Sequence, residues 1–229
     1  GLMNVAELVN GGKTDINITL DKNIDLTGKG WTPIGTDYDN SYTGTFDGGG
    51  HTITGLTVTT NDEYAGLFGY LGNFGNAAGT VKNVVMDGIQ ITCNHRLGYA
   101  GGVAGFSWGT IENCSVSGSV SGTKCVGGVV GAQKAGSITG CSSSATVKGT
   151  VDVGGVAGEK WGSMTACYAT GNVTLEIDSP KNLSGGGLVG FNGGSSVLAC
   201  YATGNVTSTG SSTGKVHIGG FLGNNYTTV

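Results

Sequence analysis

A five-residue block, small–Gly–apolar–apolar–Gly, recurs six times along the chain and restricts its folding more than any other feature. It reads AGLFG at 65–69, GGVAG at 101–105, GGVVG at 127–131, GGVAG at 154–158, GGLVG at 186–190 and GGFLG at 219–223. The second-position glycines (Gly66, Gly102, Gly128, Gly155, Gly187 and Gly220) are 36, 26, 27, 32 and 33 residues apart. A fixed unit is therefore interrupted by loops of varying length. One longer match is identical: ACYATGNVT at 166–174 returns at 199–207. A unit of this length with short apolar runs cannot bury its own apolar face, but stacking one unit on the next does so. The chain holds 47 glycines, and each Gly inside a helix costs ~1 kcal/mol, so helical repeats are excluded. A propeller blade needs ~40–45 residues, more than these spacings give.

Two further columns run at fixed distance from the block. One is Ile53, Val81, Ile111, Ile138, Met164 and Val197; three residues later comes a slot holding Leu56, Val84, Cys114, Cys141, Cys167 and Cys200. After the slot, apolar or small residues alternate, as in Cys167, Ala169, Gly171 and Val173, the period of a strand with one buried face. The fold class that follows is all-β: a right-handed parallel β-helix, or β-solenoid, of about six or seven rungs. Residues 1–229 read as one β-helix domain, with 1–60 forming an N-terminal cap and first rungs and 61–229 the repeats. Leu2, Val5, Ala6, Leu8 and Val9 have helical spacing, and Asn10-Gly11-Gly12 ends that run, predicting a short capping helix. The start lacks a basic leader, so an export signal is expected upstream or already removed. The last block has no following columns, which leaves the capping of the final rung open.

GGLVGFN (186–192) followed by ACYATGNV (199–206) resembles the GLUG repeat, as does the weaker copy GGVAGEKWGSMTACYATGNV (154–173). WTPIGTDYDNSYTGTFDGGGHTITGLTV (31–58) resembles the segment that precedes those repeats in bacterial surface proteins. The copies at 65–91 and 127–147 lack CYATGNV. The resemblance implies a right-handed β-helix exported to a bacterial cell surface or beyond it. It also implies kinship with the non-catalytic part of secreted metallopeptidases that cleave immunoglobulin A. Their catalytic part has no counterpart here: there is no HExxH, and His51, His95 and His217 are scattered.

The ladder slot takes Leu, Val or Cys, so its cysteines read as small buried apolar groups. They lack CxxC spacing and nearby histidines, and no zinc site or cofactor is expected. Cys93 and Cys125 fall off the ladder, and sequence alone leaves a bridge between them open. Aromatic residues give the best hint of function. Trp108 and Trp161 sit six residues past Gly102 and Gly155, with Lys134 in the same place between them. Stacking then puts two indoles on one face, two rungs or roughly 10 Å apart. Tyr168 and Tyr201 each follow a ladder cysteine and should point outward. Spaced aromatics on a flat face suit sugar rings, while the bland reading has them packing on turns. Asp37, Asp39, Asn40 and Asp47 offer oxygen ligands without an EF-hand spacing, and read as a solvated turn.

Net charge is −4 with 11 basic residues, too few for nucleic acid, and no apolar run spans a membrane. The expected function is a non-enzymatic cell-surface adhesin or binding module, with a glycan or host surface protein as partner and a monomeric state. The alternatives are a purely structural stalk and a polysaccharide-active β-helix enzyme, the last resting on fold analogy alone.

Overall fold

The computed structural model describes residues 1–75, 79–178 and 181–226. Four parallel sheets, here I to IV in the order the chain visits them, wind into a β-solenoid of about seven rungs. Sheet I has seven strands, running from Ile18–Thr19 to Val197–Leu198, and sheet II has eleven because several rungs contribute two. Sheets III and IV have six each, from Tyr64–Ala65 to Val216–Gly219 and from Phe68–Leu71 to Leu222–Asn225. Every pairing is parallel, so like positions of successive units lie side by side, ~4.8 Å apart.

The recurring block is the corner between sheets III and IV, and steric crowding explains its glycines. A Cβ on Gly101 would sit 2.3 Å from the Ala104 carbonyl oxygen, and one on Gly105 2.8 Å from the Ala65 nitrogen. The two apolar residues between them, such as Val103 and Ala104, point inward and are fully buried. Sheets III and IV thus meet at a bend whose side chains point only into the core.

Inside the coil the columns stack as ladders. In sheet I, Ile18, Phe46, Val81, Ile111, Ile138, Met164 and Val197 are in register. A left-handed corner follows at Asn83 (φ 55°), Asn113 (50°), Gly140 (64°), Ala166 (53°) and Ala199 (51°). It turns the next residue inward, and Val84, Cys114, Cys141 and Cys167 are buried there while Cys200, one rung further, is half-buried. Thiols in this column donate to the carbonyl two residues earlier, as Cys167 Sγ does to Thr165 O at 3.3 Å. All six cysteines, Cys93 and Cys125 included, are free thiols.

At the N-terminal end the structure departs from the sequence columns by several residues. Ile53 pairs with Met86 in sheet II, and Leu56, though buried, sits beside Ile89 rather than in the thiol slot. Phe46 takes the sheet I place expected for Ile53. The cause is the FDGGGHT turn, which adds two residues between Asp47 and Thr52 relative to Lys82–Val85. Gly48 lies against Val84 there, where any Cβ would come within 2.8 Å of the valine methyl.

The helix is present at Leu2–Asn10 and buries Leu2, Ala6 and Val9 on the end of the coil. Asn10 pins it, donating to Pro33 O (3.0 Å) and accepting from Gly35 N (2.9 Å).

Candidate functional site

The aromatic residues singled out by sequence fall on two separate faces. Trp108, Lys134 and Trp161 do form one column, at the end of sheet IV, since each follows a paired residue of the series Ser107, Gln133 and Lys160. The indoles lean in opposite directions. Trp108 turns toward the N-terminal rungs, where its Nε1–H donates to the Tyr70 hydroxyl at 2.9 Å and Phe74 packs edge-on at 5.1 Å. It joins an outer apolar cluster of Tyr64, Tyr70, Tyr99 and Phe106. Trp161 turns the other way and lies over Gly193, where a Cβ would meet the indole at 2.4 Å. It is 40% exposed, with its Nε1–H on Glu159 Oε1 at 2.5 Å. Lys134 pairs with the same oxygen at 2.5 Å. The two indoles therefore flank an ion pair.

Tyr168 and Tyr201 lie on the outer face of sheet II, in a column with Val85, Ser115 and Ser142. Their rings stack with centroids 5.0 Å apart and planes 2° from parallel. They are 39% and 52% exposed. Because the stack runs between neighbouring rungs, the free face of Tyr168 looks along the coil toward Ser142. There it closes one end of a shallow trench of about 270 Å³, lined by Ser115, Ser117, Ser142, Ser144, Thr170 and Asp87. Asp87 accepts from the Ser117 hydroxyl at 2.7 Å. The trench is close to the ~300 Å³ at which small-ligand sites begin, and its polar side-chain atoms are hydroxyls and the Asp87 carboxylate.

The acidic residues of the first rungs do not converge. Asp37 is tied to Thr36 and Asn40, and the backbone N–H of Asn40 holds its carboxyl below the usual range. Asp47 takes Asn83 Nδ2 (3.0 Å), Gly49 N (2.9 Å) and Lys82, and is held low chiefly by Asn83.

Two polar groups escaped the sequence reading. Among the described residues, one trio of metal-type ligands has converging atoms: Cys125, Asp152 and Glu159. Cys125 and Asp152 stand two residues before the last glycine of their strands, Gly127 and Gly154, and Glu159 follows Gly158; block-relative position was the available signal. The second is Lys160, fully buried, whose ammonium donates to Gly162 O (2.7 Å), Gly194 O (2.8 Å), Ser195 O (3.1 Å) and Ser196 O (3.4 Å). Burial pulls it down to about 8. Ser107, Gln133 and Asn192 hold its place in other rungs, and Gln133 likewise caps turn carbonyls, donating to Gly109 O and Ala135 O; recurrent polarity in this column was the available signal.

The GLUG motif model matches residues 97–121, 122–148 and 182–207. The chain thus carries GLUG repeats. The rung containing 154–173 lies in register with its matched neighbours although the model does not cover it. "Halomucin" of Haloquadratum walsbyi is 42% identical over 105 residues, 45% of this chain and 1% of that protein. A "Putative Gly-rich membrane protein" of Evansella cellulosilytica is 37% identical over 101 residues, 44% of this chain and 11% of that protein. The chain therefore spans a small part of these relatives. In three dimensions it is similar to a "putative immunoglobulin A1 protease" from Bacteroides ovatus, with a TM-score of 0.78, 22% identity, and coverage of 98% of this chain and 71% of that one. That likeness establishes the shared fold. No described helix is long and apolar enough to cross a membrane.

Proposed function

We propose that this chain is a non-catalytic module of a cell-surface protein that binds glycan on the Tyr168–Tyr201 face. The observation that carries the reading is the parallel tyrosine stack closing a hydroxyl-lined trench. A pyranose standing edge-on in the trench would lay its C–H face on Tyr168 and its hydroxyls on Ser115, Ser142 and Thr170. Aromatic faces with a few convergent polar groups are the usual makeup of such sites. Carriage of GLUG repeats and the names of the relatives support placement outside the cell. The tryptophan corner favours a second, purely structural role for that side, because Trp108 is engaged with Tyr70 and Trp161 with the Lys134–Glu159 ion pair.

The test is a glycan-array screen of the whole chain beside a Tyr168→Ala/Tyr201→Ala variant of unchanged melting temperature. Binding lost in the variant supports the reading. Binding that persists in the variant, or no glycan bound by the wild type, overturns it in favour of a stalk or a protein-binding surface.

A further inference from the structure

The outer edge of the corner between sheets III and IV brings three metal-type ligands together by register. Cys125 and Asp152 are paired neighbours in sheet III, and Glu159 pairs with Ala132 in sheet IV. Ala132 is small and buried. Its size leaves room across the bend for Glu159 to reach the Cys125 thiol diagonally, where Phe106 fills the equivalent space one rung earlier. The result is a 0%-exposed sulfur facing two carboxylates: Glu159 Oε2 at 3.5 Å and Asp152 Oδ2 at 4.0 Å. One ligand atom from each residue lies within 4.8 Å of the others.

Hydrogen bonding leaves this knot short of donors. A single S–H faces two acceptors. The far oxygen of Glu159, Oε1, is already taken by Lys134 and Trp161, so Oε2 is turned to the thiol. Burial would raise Glu159, but Lys134 and Trp161 outweigh it and hold the carboxyl ionised and low. Asp152 has no such cation in contact. Burial, with Glu159 nearby, pushes it up to about 7, against some help from Ser184. A fully buried thiol and two partly buried acids around a common point is an arrangement that a cation satisfies better than protons do.

The spacing also fits. A tetrahedral ion at ~2.3 Å from sulfur and ~2.0 Å from oxygen holds those atoms about 3.5 Å apart. We infer that Cys125 Sγ, Asp152 and Glu159 Oε2 form a binding site for a zinc-class divalent ion, with a fourth position left for solvent. The sulfur donor selects this class over calcium or magnesium. Binding replaces the thiol proton and the Asp152 proton, both of which pass to the buffer. Lys134 and Trp161 stay on Oε1 and orient the ligating carboxylate from behind, as outer partners of metal ligands do. The partly exposed Lys134 side chain marks the entry side. The ion would cross-link two rungs and both arms of the bend.

The experiment is titration of chelator-treated, tag-free whole chain with Co2+ and with Zn2+. Co2+ should give a sulfur-to-metal charge-transfer band at one ion per chain and change Trp161 emission. Zn2+ at about 100 times its Kd should raise the melting temperature by about 5–10 °C. Cys125→Ala should abolish the band and the shift, whereas Cys93→Ala, which removes another buried thiol, should leave both intact. Should Cys125→Ala fold poorly, Glu159→Gln keeps the size of the side chain and should weaken binding at least 10-fold. No band and no shift in the wild type, or signals that survive Cys125→Ala and Glu159→Gln, overturn the inference.

Discussion

At the corner between sheets III and IV, Trp108 and Trp161 stand two rungs apart with Lys134 between them. On sheet II, Tyr168 and Tyr201 stand on adjacent rungs with nothing between them. Register places each pair with equal regularity, but the flanking columns differ. Beside the corner column runs the outer column of sheet III, whose Tyr99, Cys125 and Asp152 face the returning strand across a narrow bend. Side chains there must satisfy one another, and the indoles go to Tyr70 and Glu159. Beside the tyrosines lie mostly serines and threonines of an open sheet face, short side chains that leave both rings exposed. A repeat protein thus sets the position of a residue by stacking and its availability by the width of the neighbouring side chains.

Truncation should separate the two faces most sharply at Trp108. Removing its indole strips the outer cluster of a large ring and leaves the Tyr70 hydroxyl without its donor. Buried Trp→Ala changes cost ~3–5 kcal/mol, so a half-buried one should cost roughly 2–3 kcal/mol. Urea unfolding of Trp108→Ala, read as a lower midpoint at unchanged slope, measures this. A loss under about 0.5 kcal/mol would mean that the corner is as free as the tyrosine face, and the comparison fails.

A smaller effect should follow from Asp152, the strained member of the corner. In the folded, metal-free chain its carboxyl keeps a proton up to about pH 7, while in the unfolded chain it ionises near 3.8. Between those values the folded state binds more protons, so stability falls as pH rises from about 4 to about 7. Asp152→Asn removes that slope. The variant should exceed the wild type by at least about 1 kcal/mol at about pH 8 and lose the advantage near pH 4. Thermal melts across this range, with chelator present, give the sign directly. An Asp152→Asn variant that is less stable at every pH would show that the carboxylate is held by the corner instead of strained by it.

The coil was legible because its rules are local and repeated. Glycines too crowded to carry a Cβ recur at the bend, and inward columns keep their spacing, so the sheet I series from Val81 to Val197 reads straight from the sequence. Errors begin where spacing breaks. The two extra residues of the FDGGGHT turn shifted Ile53 and Leu56 away from the columns assigned to them. Contacts across the bend were illegible for another reason. Cys125 meets Glu159 because Ala132 is small, a diagonal relation between rungs that no single column reveals. The leaning of Trp161 onto Gly193 is of the same kind.

The smallest expected effect concerns the tyrosine stack and is the most informative about binding. Cross-strand aromatic pairs contribute ~0.2–1 kcal/mol, so a double-mutant cycle over Tyr168→Ala and Tyr201→Ala should return a coupling of about 0.5 kcal/mol, far below the Trp108 loss. Tyr201 does not border the trench, yet it fixes the plane of Tyr168 by stacking on its other face. Tyr201→Ala should therefore weaken glycan binding by freeing the Tyr168 ring to turn, while Tyr201→Phe, which keeps the stack, should not. Equal loss with Phe and Ala would instead assign the contact to the Tyr201 hydroxyl and move the site one rung toward the C-terminal end. A coupling above about 2 kcal/mol would make the stack part of what holds the coil together, and the difference between the two faces would then be one of degree.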